Sequence, residues 1–222
     1  MEEIVKVLST EHLTHDVLRL VIEKPAGISF VPGQATEVSI NKEGWEKKRR
    51  PFTFTSLQDD DFLEFIIKTY PSHNGVTNEL LSVKPGDELI IRNIFGKINY
   101  KGEGIFIAGG AGITPFIAIL RELEEKNKIG NNKLIFANKT KEDIILENKF
   151  NKLLGKNFIN VLSEETLPQY EHGYISSELI KKNTDSSTRY YYLCGPKPML
   201  KAIEEHFSTL GIAPEFIVKE VF

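Results

Sequence analysis

The segment GGAGITPF, residues 109–116, decides how the second half of this chain is interpreted. It follows the apolar run at residues 105–108 and leads into residues 115–126, where one helical face is apolar: Phe116, Ile119, Leu120 and Leu123. A strand, a glycine turn and a helix in this order expose backbone N–H groups at the positive end of the helix dipole, an arrangement that binds phosphate. The third glycine of the full dinucleotide fingerprint is missing, so the segment alone also fits a plain strand-to-helix turn.

The rest of the second half alternates between short apolar runs and amphipathic stretches. The strand-like runs are residues 105–108, 134–137, 158–162, 190–193 and 215–218. A second helical stripe, which ends at Gly211, consists of Leu200, Ile203, Phe207 and Leu210. This alternation predicts a parallel sheet with helices on both faces.

The first half contains strand-like runs and almost no helical periodicity. These runs are residues 4–8, 17–22, 35–40, 51–56, 62–68 and 88–92, and Pro-Gly turns at residues 32–33 and 85–86 separate some of them. Six short strands predict a small antiparallel β-barrel. We therefore expect a two-domain β + α/β protein: a barrel domain over residues 1–99, then a parallel-sheet, Rossmann-like nucleotide-binding domain over residues 100–222.

Composition excludes several classes of protein. The chain has 222 residues, of which 41% are hydrophobic and 27% charged, which excludes a disordered or collagen-like chain. No apolar run reaches the roughly 18 residues of a membrane helix, and the acidic start MEEIVKV does not resemble a signal peptide. The net charge of −3 gives no reason to expect nucleic acid or a membrane surface as a partner. The single cysteine, Cys194, excludes an internal disulfide and a cluster held by four cysteines of this chain, so we expect a cytoplasmic protein.

Two further motifs carry candidate chemistry. In YYYLCGPKPM, residues 190–199, a strand again runs into a glycine turn, which in a parallel sheet would lie beside residues 109–116. On its own, Cys194 also fits a small buried apolar residue. In RRPFTFTS, residues 49–56, Arg50 could hold a phosphate with two hydrogen bonds, or could equally be a solvated arginine on an ordinary strand.

Taken in order, these motifs resemble those of the ferredoxin–NADP reductase superfamily, and the chain looks most similar to its small stand-alone flavodoxin reductases. Arg50-Pro51-Phe52-Thr53 resembles the flavin motif Arg-x-Tyr-Ser/Thr, and residues 73–89 resemble the second flavin motif, which ends in a Lys-Pro-Gly-Asp turn. Residues 109–116 resemble the nicotinamide-nucleotide loop, Cys194-Gly195-Pro196 the Cys-Gly motif, and Glu220-Val221-Phe222 the plant-type ending Glu-Val-Tyr. Phe52, Ala111 and Phe222 depart from the usual tyrosine, threonine and tyrosine.

The resemblance implies an enzyme that binds FAD and uses NADH or NADPH as co-substrate. Nicotinamide would deliver a hydride to flavin N5, and the flavin would pass single electrons to a protein carrier such as flavodoxin or ferredoxin. It implies that Arg50 holds the flavin pyrophosphate, that the Thr53 hydroxyl lies near N5, and that Cys194 lines the nicotinamide pocket. It also implies that Glu220 lies near the contact between the two cofactors and that Phe222 covers the flavin.

The implied site residues divide into three groups, and Thr53 and Cys194 belong to two of them. The implied catalytic residues are Thr53, Cys194, Glu220 and Phe222. The implied flavin-binding residues are Arg50, Pro51, Phe52, Thr53, Ile67, Lys68, Thr69, Gly75, Val76 and Thr77. The implied nucleotide-binding residues are Gly110, Ala111, Gly112, Ile113, Thr114, Pro115, Ser163, Glu164, Cys194, Gly195, Pro196 and Met199.

The residues after the strand at 158–162 indicate which nicotinamide nucleotide, NADH or NADPH, is preferred. In plant-type members an arginine after a serine holds the 2′-phosphate of NADP, whereas here Ser163 is followed by Glu164 and Glu165. A carboxylate repels that phosphate and can accept hydrogen bonds from free ribose hydroxyls, so we expect NADH to be favoured. Lys139 and Lys141 are the counterweight, because they could reach the phosphate from another side.

Some alternatives remain open from the sequence. The basic run at residues 47–50 is either a solvated loop or a docking surface for an acidic carrier. The acceptor could be flavodoxin, ferredoxin, free flavin or a ferric siderophore, and FAD is preferred to FMN by analogy alone. A flavin-free dehydrogenase and a non-catalytic electron-transfer subunit are the other two functions. The five histidines include one close pair, His12 and His15, without companion ligands, so no metal site is predicted.

Overall fold

The structure, a computed structural model, describes residues 2–220 and contains two compact units. The first unit runs to Gly96 and includes Thr114–Glu122; the second comprises Lys97–Ile113 and the chain from Leu123 onward. The predicted domain boundary between residues 99 and 100 remains a prediction. Within residues 2–220, no helix combines the length and the apolar character that crossing a membrane requires.

The first unit is an antiparallel barrel of six strands. The strands are β1 Glu3–Thr14, β2 Val17–Glu23, β3 Ala35–Ile40, β4 Arg50–Thr53, β5 Phe62–Lys68 and β6 Glu88–Phe95. They pair in the order β4-β3-β6-β1-β2-β5, and a bridge between Phe54 and Phe65 links the two ends of that order. A short helix, α1 Val76–Glu79, lies between β5 and β6. The predicted antiparallel barrel is confirmed.

Aromatic side chains fill the barrel interior. Phe54 stacks on Phe30 with 4.2 Å between ring centroids and lies 5.3 Å from the ring of Phe65. Strand β1 is much longer than the predicted residues 4–8, since its first part pairs with β6 and its second part with β2. The second part, which contains Ser9-Thr10-Glu11-His12, is mostly solvent-exposed and therefore lacks the apolar alternation that marks a strand.

The second unit is a six-stranded parallel sheet with helices. Its strands are β7 Gly104–Gly109, β8 Lys133–Asn138, β9 Phe158–Leu162, β10 Glu171–His172, β11 Tyr190–Cys194 and β12 Ile217–Lys219. They lie in the order β10-β9-β8-β7-β11-β12, so the strand order reverses between β7 and β11. The remaining α-helices among the described residues are α2 Thr114–Glu125, α3 Glu147–Leu154, α4 Ser177–Asn183 and α5 Lys197–Thr209. The predicted parallel sheet is confirmed.

The differences in the second unit have local causes. Helices α3 and α4 and strand β10 were not predicted, because each is short; α4 buries only Leu179 and Ile180 and so gives little periodicity. The last strand begins two residues later than predicted, since Pro214–Phe216 forms a 3₁₀ turn before it.

A buried tyrosine fixes the start of the second unit. The ring of Tyr192 stacks on Phe106 at 4.3 Å between centroids. Its hydroxyl donates to the carbonyl of Gly102 at 2.7 Å and accepts from the N–H groups of Lys101 and Gly102 at 2.9 and 3.0 Å. Burial raises the pKa of Tyr192 to about 12, so this phenol remains a donor at neutral pH.

Candidate functional site

Two adjacent arginines at the start of strand β4, Arg49 just before it and Arg50 as its first residue, differ in their contacts. Arg49 forms an ion pair with Glu37, with 3.4 Å between Nη1 and Oε2. Arg50 is exposed and donates only to the backbone carbonyl of Arg49, at 2.8 Å, and it has no carboxylate partner within residues 2–220. Because its charge is uncompensated, Arg50 is the arginine of this pair that can bind an anion through two N–H groups of its guanidinium.

Two nearby threonines, Thr53 and Thr55, also differ in the hydrogen bonds of their hydroxyl groups. The Thr55 hydroxyl donates to Glu64 at 2.8 Å, and Glu64 in turn accepts from Arg19 Nε at 2.7 Å. Thr53 is only 8% exposed, and its hydroxyl makes no hydrogen bond to the part of the chain that the structure describes. Phe52 packs against the barrel core. The structure therefore commits Thr55 to the barrel and leaves the Thr53 hydroxyl available for a ligand.

Three implied flavin-binding residues at the end of β5 make contacts within the barrel unit. Ile67 is part of the core, and Lys68 forms an ion pair with Asp16 at 2.7 Å. The hydroxyl and the N–H of Thr69 both donate to the Asp16 carbonyl, at 2.9 and 2.7 Å. The contacts of Lys68 and Thr69 with Asp16 fix the path of the chain directly after β5.

The second predicted flavin motif forms the start of α1. Gly75 precedes the helix with an extended backbone, φ −116°, and no side chain caps the helix start. The N–H groups of Val76 and Thr77 belong to the first turn, which has no intrahelical acceptor for them. A Cβ on Gly75 would meet nothing within 4 Å, so neither its backbone nor its packing requires glycine there.

Two glycine turns meet where the strand order of the parallel sheet reverses. Ala108 at the end of β7 pairs with Cys194 at the end of β11. A Cβ on Gly112 would lie 2.3 Å from the carbonyl oxygen of Cys194, and one on Gly109 would lie 2.4 Å from the sulfur of Met199. Gly112 is therefore required by the packing of one turn on the other, whereas at Gly109 the flexible Met199 side chain could move away from an added Cβ. Ligands of open parallel sheets bind at this reversal point, beyond the carboxyl ends of the strands.

The remaining residues of the first turn continue into helix α2. Gly110–Ile113 is a 3₁₀ turn, and α2 begins directly after it at Thr114, with Pro115 next. Gly110 has a φ of +52°, a conformation that favours glycine, and nothing within 4 Å would contact an added Cβ. The turn thus leaves open space beside Gly110.

Cys194 and Glu220 lie close together. Cys194 is 4% exposed, and burial, together with the nearby charge of Glu220, raises the pKa of its thiol to about 12. The thiol is therefore protonated at neutral pH, unlike a nucleophilic cysteine. The Glu220 Oε2 atom is buried and has no hydrogen-bond partner among the residues described. Val221 and Phe222 lie outside the described residues, so the predicted role of Phe222 in covering the flavin remains a prediction.

Ser163 and Glu164, on which the predicted preference for NADH over NADPH rests, contact the residues that end β8 and follow it. The N–H groups of Ser163 and Glu164 donate to the carbonyls of Asn138 and Lys139, at 3.0 and 2.9 Å. The Glu164 carboxylate forms an ion pair with Lys139 at 2.9 Å, and this hydrogen bond and the charge behind it raise the pKa of Lys139. From the sequence, Glu164 and Lys139 are expected to have opposite effects on the preference for NADH over NADPH. In the structure the two side chains form an ion pair.

Sequence reasoning missed two residues at this edge. The Asn138 Nδ2 atom is buried and unpartnered within the described chain. Tyr174 is 87% exposed, lies close enough to Lys139 to affect its pKa, and offers an aromatic face on which a base can stack. Asn138 had a signal, since it is a polar residue at the carboxyl end of a buried strand. Tyr174 had none, because its position follows from the short strand β10.

Comparison with known proteins identifies both halves. The family described as FAD-binding domain matches residues 2–103, and the family described as Oxidoreductase NAD-binding domain matches residues 106–205. The chain belongs to the ferredoxin–NADP reductase superfamily. The structure superposes on the CS-b5R domains of human Ncb5or, in an NAD⁺ form, with a TM-score of 0.86 and 25% identity, over 100% of this chain and 70% of that one.

Curated relatives include reductases from a fungus and a bacterium. NADH-cytochrome b5 reductase 2 of Mycosarcoma maydis is 32% identical over 85% of this chain and 60% of its own length. The reductase component of propane 2-monooxygenase from Rhodococcus jostii is 29% identical over 98% of this chain and 62% of its own length. The chain thus spans about 60% of the length of these two relatives.

The unpaired groups fit the cofactors of the superfamily, FAD and a nicotinamide dinucleotide. In the first unit, Arg50 lacks a counter-charge and Thr53 lacks a hydrogen-bond partner within residues 2–220. In the second unit, the Glu220 Oε2 and Asn138 Nδ2 atoms are buried without protein partners in the same range. Buried polar atoms without partners are uncommon, and a bound ligand is one explanation for them.

Proposed function

We propose that this protein is an NADH-dependent FAD oxidoreductase that passes electrons to a protein acceptor. FAD, when bound, supplies the ability to take a hydride from the nicotinamide and to release the electrons singly. The observation that carries the proposal is that one chain combines an uncompensated Arg50 on the barrel with two packed glycine turns at the reversal point of a parallel sheet.

In the barrel unit, Arg50 and Thr53 have separate tasks. Arg50 holds the pyrophosphate through two charge-assisted hydrogen bonds, for which its lack of a carboxylate partner within residues 2–220 leaves it free. Thr53 presents its hydroxyl toward the reacting part of the flavin, since the barrel does not use that hydroxyl. The N–H groups of Val76 and Thr77 donate to phosphate oxygens.

In the parallel-sheet unit, the residues bind and orient the nicotinamide nucleotide. The turn at Gly110–Ile113 gives backbone N–H groups to the phosphates. Cys194 supplies a compact, protonated wall to the nicotinamide pocket, and the unpaired Glu220 oxygen accepts from the carboxamide of the nicotinamide. Tyr174 gives the adenine a surface to stack on, and Glu164 accepts from the ribose hydroxyls, which favours NADH.

The acceptor is an acidic one-electron carrier that docks on the basic loop before Arg50. Lys47, Lys48, Arg49 and Arg50 are all exposed, and the Lys48 ammonium lies 3.8 Å from the centre of the Trp45 ring. The loop is anchored because the buried Arg92 and Ser39 both donate to the Glu46 carbonyl, at 2.9 and 2.8 Å. Flavodoxin or ferredoxin fits this charge; by analogy with the fungal relative, so does a b5-type cytochrome.

The test is an anaerobic titration of the purified protein, followed by its visible spectrum. We expect a yellow protein with FAD, which NADH bleaches at lower concentration than NADPH does. The bleached protein should then reduce flavodoxin, ferredoxin or cytochrome b5, with a rate that falls as salt increases. A protein that neither purifies with FAD nor binds added FAD would overturn the proposal.

A further inference from the structure

A cavity of about 460 Å³ opens at one edge of the parallel sheet in the second unit. Its volume lies within the range of pockets that bind small molecules. The polar residues that line it are Glu147, Asn151, Asn160, Gln169, Tyr170 and Glu171. It lies along the amino-terminal half of β9, whereas Ser163 and Glu164 follow the carboxyl end of that strand, so it is separate from the proposed nucleotide site.

The cavity exists because β10 covers only part of β9. Glu171 and His172 pair with Val161 and Leu162, and no strand pairs with residues 158–160 on that side within the described chain. Immediately before Glu171 the chain forms a turn, in which the N–H of Tyr170 donates to the carbonyl of Leu167 at 3.1 Å. The edge of β9 is therefore left open between this turn and helix α3.

The walls of the cavity offer hydrogen-bond acceptors and negative charge. One oxygen of Glu147 accepts from the Tyr170 hydroxyl, and the other has no partner among residues 2–220. Asn160 is 5% exposed, and its Oδ1 atom is buried without a partner in that same range. Glu171 adds a second carboxylate, which Lys182 contacts at 3.1 Å. The lining residues that the structure describes include no lysine or arginine.

Tyr170 keeps the Glu147 carboxylate in place. Burial, followed by the hydrogen bond and charge of Glu147, raises the pKa of the Tyr170 phenol, so it stays a donor through neutral pH. Phe158 lies in the cavity wall and packs on Phe150 of α3, with 5.5 Å between ring centroids. The cavity thus combines a fixed carboxylate and an unsatisfied amide with an apolar wall.

We propose that this cavity binds a small organic cation, with a guanidinium or ammonium group carried on a short apolar stem. Such a group brings several N–H donors and a positive charge to a site that has acceptors and no positive charge among its lining residues. Burying an unpaired amide costs free energy, so a ligand that donates to Asn160 and pairs with the Glu147 charge is favoured in this cavity.

The experiment is a titration of the ¹⁵N-labelled, FAD-loaded protein with L-arginine at moderate ionic strength, followed by NMR. L-Citrulline, which replaces the guanidinium with a neutral urea group, is the matched control ligand. We expect arginine to shift the resonances of Asn151, Asn160, Gln169 and Tyr170, and citrulline to shift them little. Nα-acetyl-arginine methylamide distinguishes a free amino acid from an arginine side chain of a protein, and binding of either cation supports the site.

Two variants test the contact itself. Glu147→Gln keeps the shape and removes the charge, so the arginine affinity should fall about tenfold or more. Glu205→Gln, an exposed acid on α5, should leave that affinity unchanged. Tyr170→Phe removes the hydroxyl but keeps the Glu147 charge, so this variant should still bind arginine. It provides a second test of the site if Glu147→Gln folds poorly. Equal shifts with citrulline, no shifts at millimolar arginine, or an equal loss in Glu205→Gln would overturn the proposal.

Discussion

The barrel unit and the parallel-sheet unit offer their candidate binding groups in different ways. In the barrel the two side-chain groups, Arg50 and Thr53, lie on one strand, and neighbours of the same type are already used by the fold: Arg49 pairs with Glu37, and Thr55 with Glu64. In the parallel-sheet unit the groups are backbone turns, shaped by close packing between Gly112 and the Cys194 carbonyl. Binding should therefore be separable from folding in the first unit and inseparable from it in the second.

The largest expected effect tests the first half of this comparison. Arg50→Ala should remove two charge-assisted hydrogen bonds, each worth about 1.5–3 kcal/mol, and so lower FAD affinity by at least about a hundredfold. The thermal stability of the apoprotein should stay unchanged, because the Arg50 side chain hydrogen-bonds only to the Arg49 carbonyl within the described chain. The measurement is FAD binding by fluorescence quenching. Arg49→Ala is the control and should change affinity by a few-fold at most; equal losses in both variants would refute the assignment.

The second prediction tests the other half. Gly112→Ala would place a Cβ 2.3 Å from a backbone oxygen, so the two turns must separate, at a cost of about 3 kcal/mol. Stability and NADH binding should fall together, while FAD stays bound. Thermal unfolding and an NADH titration measure the two effects.

Gly110→Ala is the matched control for that variant. Its added Cβ meets nothing within 4 Å, and its φ of +52° should cost only about 1–2 kcal/mol. If Gly112→Ala proved as stable as Gly110→Ala, the glycines would not be there for packing.

The same contrast explains what could be predicted from the sequence. The barrel, the parallel sheet and the glycine turns follow from periodicity and from residues with fixed local meaning, such as the glycines of residues 109–112. Which of two adjacent arginines is paired could not be predicted, because Glu37 reaches Arg49 only through the register of β3 and β4. The pairing of Lys139 with Glu164 likewise depends on two loops that approach because β8 and β9 are neighbours.

The third prediction concerns the ionisation of Cys194. Its thiol pKa is about 12 in the folded chain against 9.0 for a free thiol, so above pH 9 the unfolded state binds fewer protons than the folded state. Stability should therefore fall as pH rises from 9 toward 12, with this thiol contributing a loss of about 1 kcal/mol between pH 8 and pH 10. Urea unfolding at both pH values, for the parent and for Cys194→Ser, isolates this contribution.

The serine variant should lack that part of the pH dependence, since serine does not ionise in this range. Iodoacetamide should also label Cys194 slowly at pH 8 unless the protein is unfolded, because both burial and the raised pKa oppose reaction. Rapid labelling of the folded protein would contradict the protonated, buried thiol.

The smallest expected effect concerns Glu164, which is exposed and paired with an exposed Lys139. Their charges partly cancel, and solvent screens what remains, so Glu164→Gln should narrow the preference for NADH over NADPH, measured as kcat/KM, by about two- to fivefold. Lys139→Gln is the reciprocal variant: it leaves the carboxylate without its partner and should widen the preference instead. Both effects should shrink at high salt. If the two substitutions shift the ratio in the same direction, or if each changes kcat/KM equally for both cofactors, the pair does not discriminate between a ribose hydroxyl and a 2′-phosphate.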